Sequence, residues 1–207
     1  MRTRIKLCGM TRREDVLEAV ACGADAIGLI FAPRSVRRLD VARAREIADG
    51  LPAFVARVAL FADQPVDEVS RIVREVPCEL LQFHGDEDDA YCRQFGMPFL
   101  KALPMASIVD AAHEMARWPH ATGFVLDAHA RGGSGGSGAT FDWSRVPAGD
   151  RRVVLAGGLT PGNVREAVAR VRPYAVDVAS GIEASPGTKD HAKMRAFVAE
   201  VRRADAG

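Results

Sequence analysis

The chain alternates, eight times over, between short apolar runs of strand length and longer stretches with apolar residues at helical spacing. Alternation of this kind builds parallel strand–helix units with right-handed crossovers. The runs Arg4–Cys8, Asp25–Phe31, Ala53–Phe61, Glu79–Phe83, Pro98–Leu103, Gly123–Asp127, Arg152–Ala156 and Tyr174–Val178 read as strands. Helices are predicted over 12–22, 40–50, 66–75, 87–95, 107–118, 161–170 and 190–203, and the connection after the sixth strand is short or irregular. Nearly unbroken apolar runs, such as Ala26-Ile27-Gly28-Leu29-Ile30, suit parallel strands covered on both faces. Eight such units close into a (β/α)₈ (TIM) barrel. The alternative is an open doubly wound sheet, which would gather its functional residues at one switch point. Here polar residues recur at most strand C-terminal ends, which favours the barrel. No linker or solenoid repeat divides the sequence, so residues 1–207 are expected to form one domain.

Local punctuation agrees with this frame. Thr11 is placed to cap the first helix, with Glu14 three residues on completing a capping box. Gly23 is placed to close it. Pro161 is expected at the first position of its helix.

Composition removes several function classes. A formal net charge of +1 gives no reason to expect nucleic acid or an anionic membrane as partner. No apolar run approaches the roughly 20 residues of a membrane span, and no signal-peptide pattern precedes the first strand, so a cytoplasmic protein is expected. Cys8, Cys22, Cys78 and Cys92 are scattered without a CxxC pair, which argues against a zinc site and against disulfides. No long apolar surface stripe is evident, and a monomer is expected.

Active sites of this barrel lie at the C-terminal ends of the strands. On the first strand Ile5 and Leu7 point one way, and Arg4, Lys6 and Cys8 the other. A polar face ending in a thiol is expected to look into the barrel beneath the site, with Cys8 as a general base. The other strand ends bring Arg37 in the loop after Phe31, His84, Asp127, Gly157-Gly158 and Ser180-Gly181. Singly, Asp127 would be a turn residue, His84 a structural one and Arg37 a solvated charge; at one rim they make a constellation. The glycine turns after strands seven and eight suit a phosphate, because they let backbone amides approach an anion closely. The glycine-rich stretch 131–143 reads as a lid anchored by Phe141-Asp142-Trp143. Its GxGxxG match lacks the opening strand–helix unit and ribose-binding acid of a dinucleotide site.

These residues stand in a recognisable series: Lys6-Leu7-Cys8-Gly9-Met10-Thr11, Ser35-Val36-Arg37, Gln82-Phe83-His84-Gly85, Gly135–Trp143, Leu155-Ala156-Gly157-Gly158-Leu159, Val176–Glu183 and Pro186-Gly187-Thr188-Lys189-Asp190. In order and spacing the series resembles the phosphoribosylanthranilate isomerase family of tryptophan biosynthesis. The resemblance implies a (β/α)₈ barrel that isomerises N-(5′-phosphoribosyl)anthranilate to 1-(2-carboxyphenylamino)-1-deoxyribulose 5-phosphate. It implies no cofactor and no metal, and a phosphorylated small molecule as partner. By the same resemblance Cys8 is the general base, Asp127 the general acid and Arg37 the group that holds the anthranilate carboxylate. Gly157, Gly158, Ser180 and Gly181 fall in the phosphate loops, and His84 lies near the site. The mechanism asks for a raised Asp127 pKa and a lowered Cys8 pKa, the latter helped by Lys6. Ala139 replaces a lysine frequent in the family, and Phe83 a more usual leucine. Three rivals carry distinct marks. A histidine-pathway isomerase would be expected to use paired aspartates and two phosphate sites. A Schiff-base aldolase would use Lys6 or Lys101. A non-catalytic phosphate-binding barrel would not depend on Cys8.

Overall fold

The computed structural model describes residues 2–129, 140–147 and 152–207. Eight parallel strands close into a barrel in chain order: β1 (Arg4–Cys8), β2 (Ala26–Ile30), β3 (Ala56–Phe61), β4 (Leu80–Phe83), β5 (Phe99–Pro104), β6 (Gly123–Asp127), β7 (Val153–Leu155) and β8 (Ala175–Val178). The pairing of β1 with β8, from Arg4↔Ala175 to Leu7↔Val178, excludes the open sheet. The helices are α1 (Arg13–Cys22), α2 (Val41–Ala48), α3 (Val66–Glu75), α4 (Asp89–Arg93), α5 (Ala111–Met115), α6 (Val164–Val171) and α7 (His191–Ala206). Between β6 and β7 the described residues hold only a 3₁₀ turn, Trp143–Arg145, as the irregular connection predicted. A small antiparallel hairpin, β9 (Glu183–Ser185) and β10 (Thr188–Lys189), precedes α7. No helix among the described residues is long and apolar enough to cross a membrane.

Several boundaries differ from the sequence reading, each for a local reason. Thr11 does not cap α1: Arg12 is the N-cap residue, and the Thr11 hydroxyl donates to Gly187 O in the hairpin. Packing brought a competing carbonyl within reach of the capping hydroxyl. Gly23 does close α1, at φ +83°, with its amide donating to Ala19 O and Val20 O. Pro161 does not open its helix. Residues 161–163 form a turn in which the Thr160 amide donates to Asn163 Oδ1, and α6 starts at Val164. The helices predicted over 87–95 and 107–118 shrink to five residues each, begun by Asp88 and Asp110, whose carboxylates accept from the amides of Tyr91 and His113. The third strand begins at Ala56 because Phe54 adopts φ +74°, which breaks the extended run.

The period of two along each strand separates two cores. Outward residues such as Ile5, Leu7, Phe31, Phe61, Phe83, Phe124 and Val176 are buried beneath the helices. Phe31, Phe61 and Phe83 form a row with centroids 5.7 and 5.9 Å apart, and Phe83 also meets Phe95 and Phe99. An aromatic ring at 83 is therefore part of this layer rather than of the site. Inward residues of β5–β8, Leu100, Ala102, Val125, Val154, Ala156 and Ala175, fill one part of the barrel. Cys8, Val58 and Leu60 fill another. Gly28 sits opposite Cys8 in the β1–β2 ladder, and a Cβ there would lie 2.5 Å from the sulfur. That strand glycine makes room for the thiol.

Asp15 holds the end of the chain onto its beginning. Its carboxylate is fully buried and accepts from Arg12 Nε at 3.0 Å, Arg12 Nη2 at 2.6 Å and the Lys189 amide at 3.2 Å. His191 Nε2 lies 2.9 Å away. Burial pushes this carboxyl up, but Arg12, His191 and the Lys189 amide outweigh it and hold the pKa below the usual carboxylate value. A depressed carboxyl stabilises the fold above its unfolded pKa, about 3.9, and that contribution fades as pH falls through the folded value. Asp15→Ala is therefore expected to cost about 2 kcal/mol at pH 7, as for lost hydrogen bonds to a charged group, because the partners left behind, Arg12 and His191, stay partly solvated. In urea unfolding, its gap from wild type should narrow below about pH 4; a gap unchanged at pH 3 would refute the electrostatic account.

Candidate active site

The C-terminal ends of the strands open into one cavity of about 760 Å³. Cys8 and Asp127 line it from the ends of β1 and β6, and Arg37 and His84 from the segments after β2 and β4. Gly157, Gly158, Ser180 and Gly181 line it from the loops after β7 and β8. Every site residue expected from the sequence thus meets at one rim.

Beneath the rim, Lys6 and Asp177 face each other across the β1–β8 seam. Lys6 Nζ donates to Asp177 Oδ2 at 2.7 Å, both groups being buried. Burial pushes the Lys6 ammonium toward neutrality, and the Asp177 carboxylate overrides it and holds Lys6 above its ordinary value. Cys8, 4 % exposed, stands one inward position above Lys6. Burial raises the thiol pKa, and Lys6 opposes this without overcoming it. The expectation of a lowered Cys8 pKa is thus corrected for the free protein, because desolvation of a thiolate outweighs one lysine that already serves Asp177.

Asp127 departs from expectation as well. Its carboxylate accepts from the His129 amide at 3.2 Å, and His129 Nδ1 lies 3.3 Å from the same Oδ1. Burial pushes Asp127 up, but His129 and His84 prevail and bring it below the ordinary carboxylate value. The carboxyl expected to be raised is therefore ionised in the free protein. The His84 ring stacks on His129, with centroids 4.3 Å apart. Burial, then the neighbouring His129, push the His84 pKa down to about 4, so His84 is neutral at pH 7.

Arg37 is not a free cation at the rim. Its Nε and Nη2 donate to Glu183 Oε1 and Oε2, each at 2.7 Å, a bidentate pair that fixes the guanidinium plane. Lys189 supports it from below, donating to Glu183 Oε1 at 2.9 Å and to Ala179 O at 3.0 Å. The two glycine loops touch: a Cβ on Gly181 would lie 1.9 Å from Leu159 O. Asn163 Nδ2 donates to Gly158 O at 3.0 Å and braces the first loop.

Sequence reasoning missed Asp177, Glu183, Lys189 and His129. Strand alternation could have found Asp177, since a carboxylate two residues from Ala175 and Ala179 must share their inward face. Glu183 and Lys189 reach the site only through the hairpin, which no periodicity announced. The lysines of the aldolase alternative are both engaged. Lys101 points outward from β5 and donates to Phe83 O at 3.4 Å, Glu87 Oε2 at 3.1 Å and Gly85 O. Residues 131–139 of the expected lid, with Ala139, lie outside the described residues. Phe141 and Trp143 pack against the main core.

Residues 5–200 match the family model described as N-(5′-phosphoribosyl)anthranilate (PRA) isomerase. N-(5′-phosphoribosyl)anthranilate isomerase of Stenotrophomonas maltophilia (strain R551-3) is 52 % identical over 207 residues, covering 99 % of this chain and 95 % of that protein. The crystal structure of phosphoribosyl anthranilate isomerase from Thermus thermophilus superposes with a TM-score of 0.87 at 40 % identity, covering 97 % of this chain and 99 % of the other. A phosphoribosyl anthranilate isomerase in complex with reduced 1-(o-carboxyphenylamino)-1-deoxyribulose 5-phosphate superposes with a TM-score of 0.80 at 35 % identity, over 97 % of this chain and 99 % of the other. The barrel, the rim and the likeness over nearly its whole length agree: the chain belongs to the N-(5′-phosphoribosyl)anthranilate isomerase family.

Proposed function

We propose that the protein isomerises N-(5′-phosphoribosyl)anthranilate to 1-(2-carboxyphenylamino)-1-deoxyribulose 5-phosphate, with Cys8 as general base and Asp127 as general acid. The observation that carries the reading is the meeting of a thiol, a carboxyl and two glycine loops around one cavity. A relative of the same fold holds a reduced form of this product. Asp127 gives its proton to the furanose ring oxygen as the C1′–O4′ bond breaks, and the aniline nitrogen lone pair forms the iminium. The Cys8 thiolate then removes the proton on C2′, leaving an enolamine. Ketonisation takes up a proton at C1′ and releases one from the C2′ hydroxyl. Transfer of the Cys8 proton back to Asp127 through solvent closes the cycle with no net proton change.

The phosphate sits against Gly157, Gly158, Ser180 and Gly181, where the three glycines lack a Cβ and let backbone amides approach an anion closely. Glu183 occupies the Nε–Nη2 edge of Arg37. The anthranilate carboxylate therefore takes the end-on Nη1–Nη2 edge, which still offers two parallel N–H donors. His84 and His129 stand beside Asp127 and set its charge state.

The pKa directions make this a reverse-protonated pair. The competent form has Cys8 ionised and Asp127 protonated, whereas the free protein favours the opposite. The competent fraction is small but constant between the two pKa values, and a weak carboxylate base paired with a strong thiolate base compensates through greater intrinsic reactivity.

Freshly made phosphoribosylanthranilate should lose its fluorescence on addition of the protein, and no turnover at micromolar enzyme would overturn the reading. Cys8→Ala and Asp127→Ala should each lower kcat at least ~10²-fold. The kcat/KM profile should be flat through neutral pH, falling below it with Asp127 and above it with Cys8. Alkylation of the Cys8 peptide by iodoacetamide should rise past pH 9, beyond the ordinary thiol value of about 8.5; levelling off below pH 8 would show that Lys6 outweighs burial. Arg37→Ala and Glu183→Gln should mainly raise KM, and a large kcat loss at unchanged KM would show that Arg37 is misassigned.

A further inference from the structure

Beside the proposed acid, His84, Asp127 and His129 form a cluster in which one side-chain donor atom of each residue lies within 4.8 Å of the other two. Two of the possible donors are left over by the fold. His84 Nε2 and His129 Nδ1 are buried and have no hydrogen-bond partner among the described residues. The 3.3 Å approach of His129 Nδ1 to Asp127 lacks hydrogen-bond alignment, and the His129 side chain is only 4 % exposed. Buried polar atoms are rarely left unpaired, so each such atom calls for an explanation. Both histidines belong to the same cluster, and the cluster faces the cavity.

We infer that His84, His129 and Asp127 form a binding site for a divalent transition-metal ion of the zinc class, and that a metal held there inhibits the protein. Two imidazoles and one carboxylate are a donor set that borderline divalent cations favour over magnesium or calcium. The nearby cations do not stand against it, because Lys6 is paired with Asp177 and Lys101 with Glu87. The rings are stacked with 27° between their planes, so a shared ion requires one ring to swing toward the other. Three protein ligands leave the remaining positions open to water in the cavity. A metal there engages Asp127, so the group proposed to protonate the ring oxygen is no longer free to do so. Metal binding stands on the cluster alone; only its inhibitory consequence rests on the proposed isomerase reading.

The test uses Co²⁺ as a spectroscopic probe of the chelator-stripped protein. Wild type should bind one equivalent, with the intense visible absorption of low-coordinate Co²⁺ in place of the faint band of the aqua ion. His84→Ala and His129→Ala should each weaken binding at least about tenfold, since even losing a group that only orients a ligand costs that much. His129→Cys, which restores a soft donor at the same place, should recover binding and so rules out misfolding as the cause. His120→Ala and His191→Ala, on partly exposed histidines outside the cluster, should leave uptake unchanged. Zn²⁺ at one equivalent should abolish isomerase turnover, and chelator should restore it. No visible band in wild type, or a band that persists in both His84→Ala and His129→Ala, would overturn the site. Because uptake is read without substrate, it stands or falls separately from the isomerase activity.

Discussion

The ion pair between Lys6 and Asp177 joins the first strand of the barrel to the last. The two residues are register partners in the β1–β8 ladder, and their charged groups meet at 2.7 Å inside the barrel. Ladder hydrogen bonds would close the barrel without them, but this pair requires the closure to have one register. A slip by one residue would turn Lys6 outward among Ile5 and Leu7 and leave Asp177 as an unpaired buried charge. The pair also forms the floor on which Cys8 stands. Its positive end lies one inward position below the sulfur, and its negative end belongs to the strand that feeds the Ser180–Gly181 loop.

What the floor does to the chemistry follows from the competition between burial and charge. A single lysine beneath a thiol favours the thiolate, but here the lysine is shared with a carboxylate and the thiol is 4 % exposed. Desolvation then decides the direction for Cys8. Across the barrel the order is reversed, since two histidines against Asp127 outweigh its burial. In the free protein the thiol therefore keeps its proton while the carboxyl has lost its own. A similar sharing governs Arg37, whose charge is balanced by Glu183 and whose orientation is set by the same carboxylate, with Lys189 behind it.

The hairpin β9–β10 is where scaffold and site are connected. Glu183 reaches inward to Arg37, while the Lys189 amide turns to Asp15 at the start of α1. The Thr11 hydroxyl donates to Gly187 between them. One short hairpin before the last helix therefore fixes the cavity-facing arginine and ties the C-terminal helix to the N-terminal one.

By itself, the sequence determined the alternation of eight strands with helices, the face of each strand and the strand ends at which Cys8, His84, Asp127 and the glycine loops emerge. Those properties are local: a period of two, a period of 3.6 and a glycine turn are legible from neighbours in the chain. Helix starts were less legible, because Thr11 and Pro161 offered good local signals that tertiary contacts outbid. Only the tertiary structure decided which charges meet. Lys6 and Asp177 are 171 positions apart, and Arg37 and Glu183 are 146 apart. The protonation of Cys8 and Asp127 depends on desolvation and on partners from other strands and loops, quantities that no spacing along the chain contains. The constellation was therefore readable from the sequence, while its electrostatics had to wait for the barrel to close.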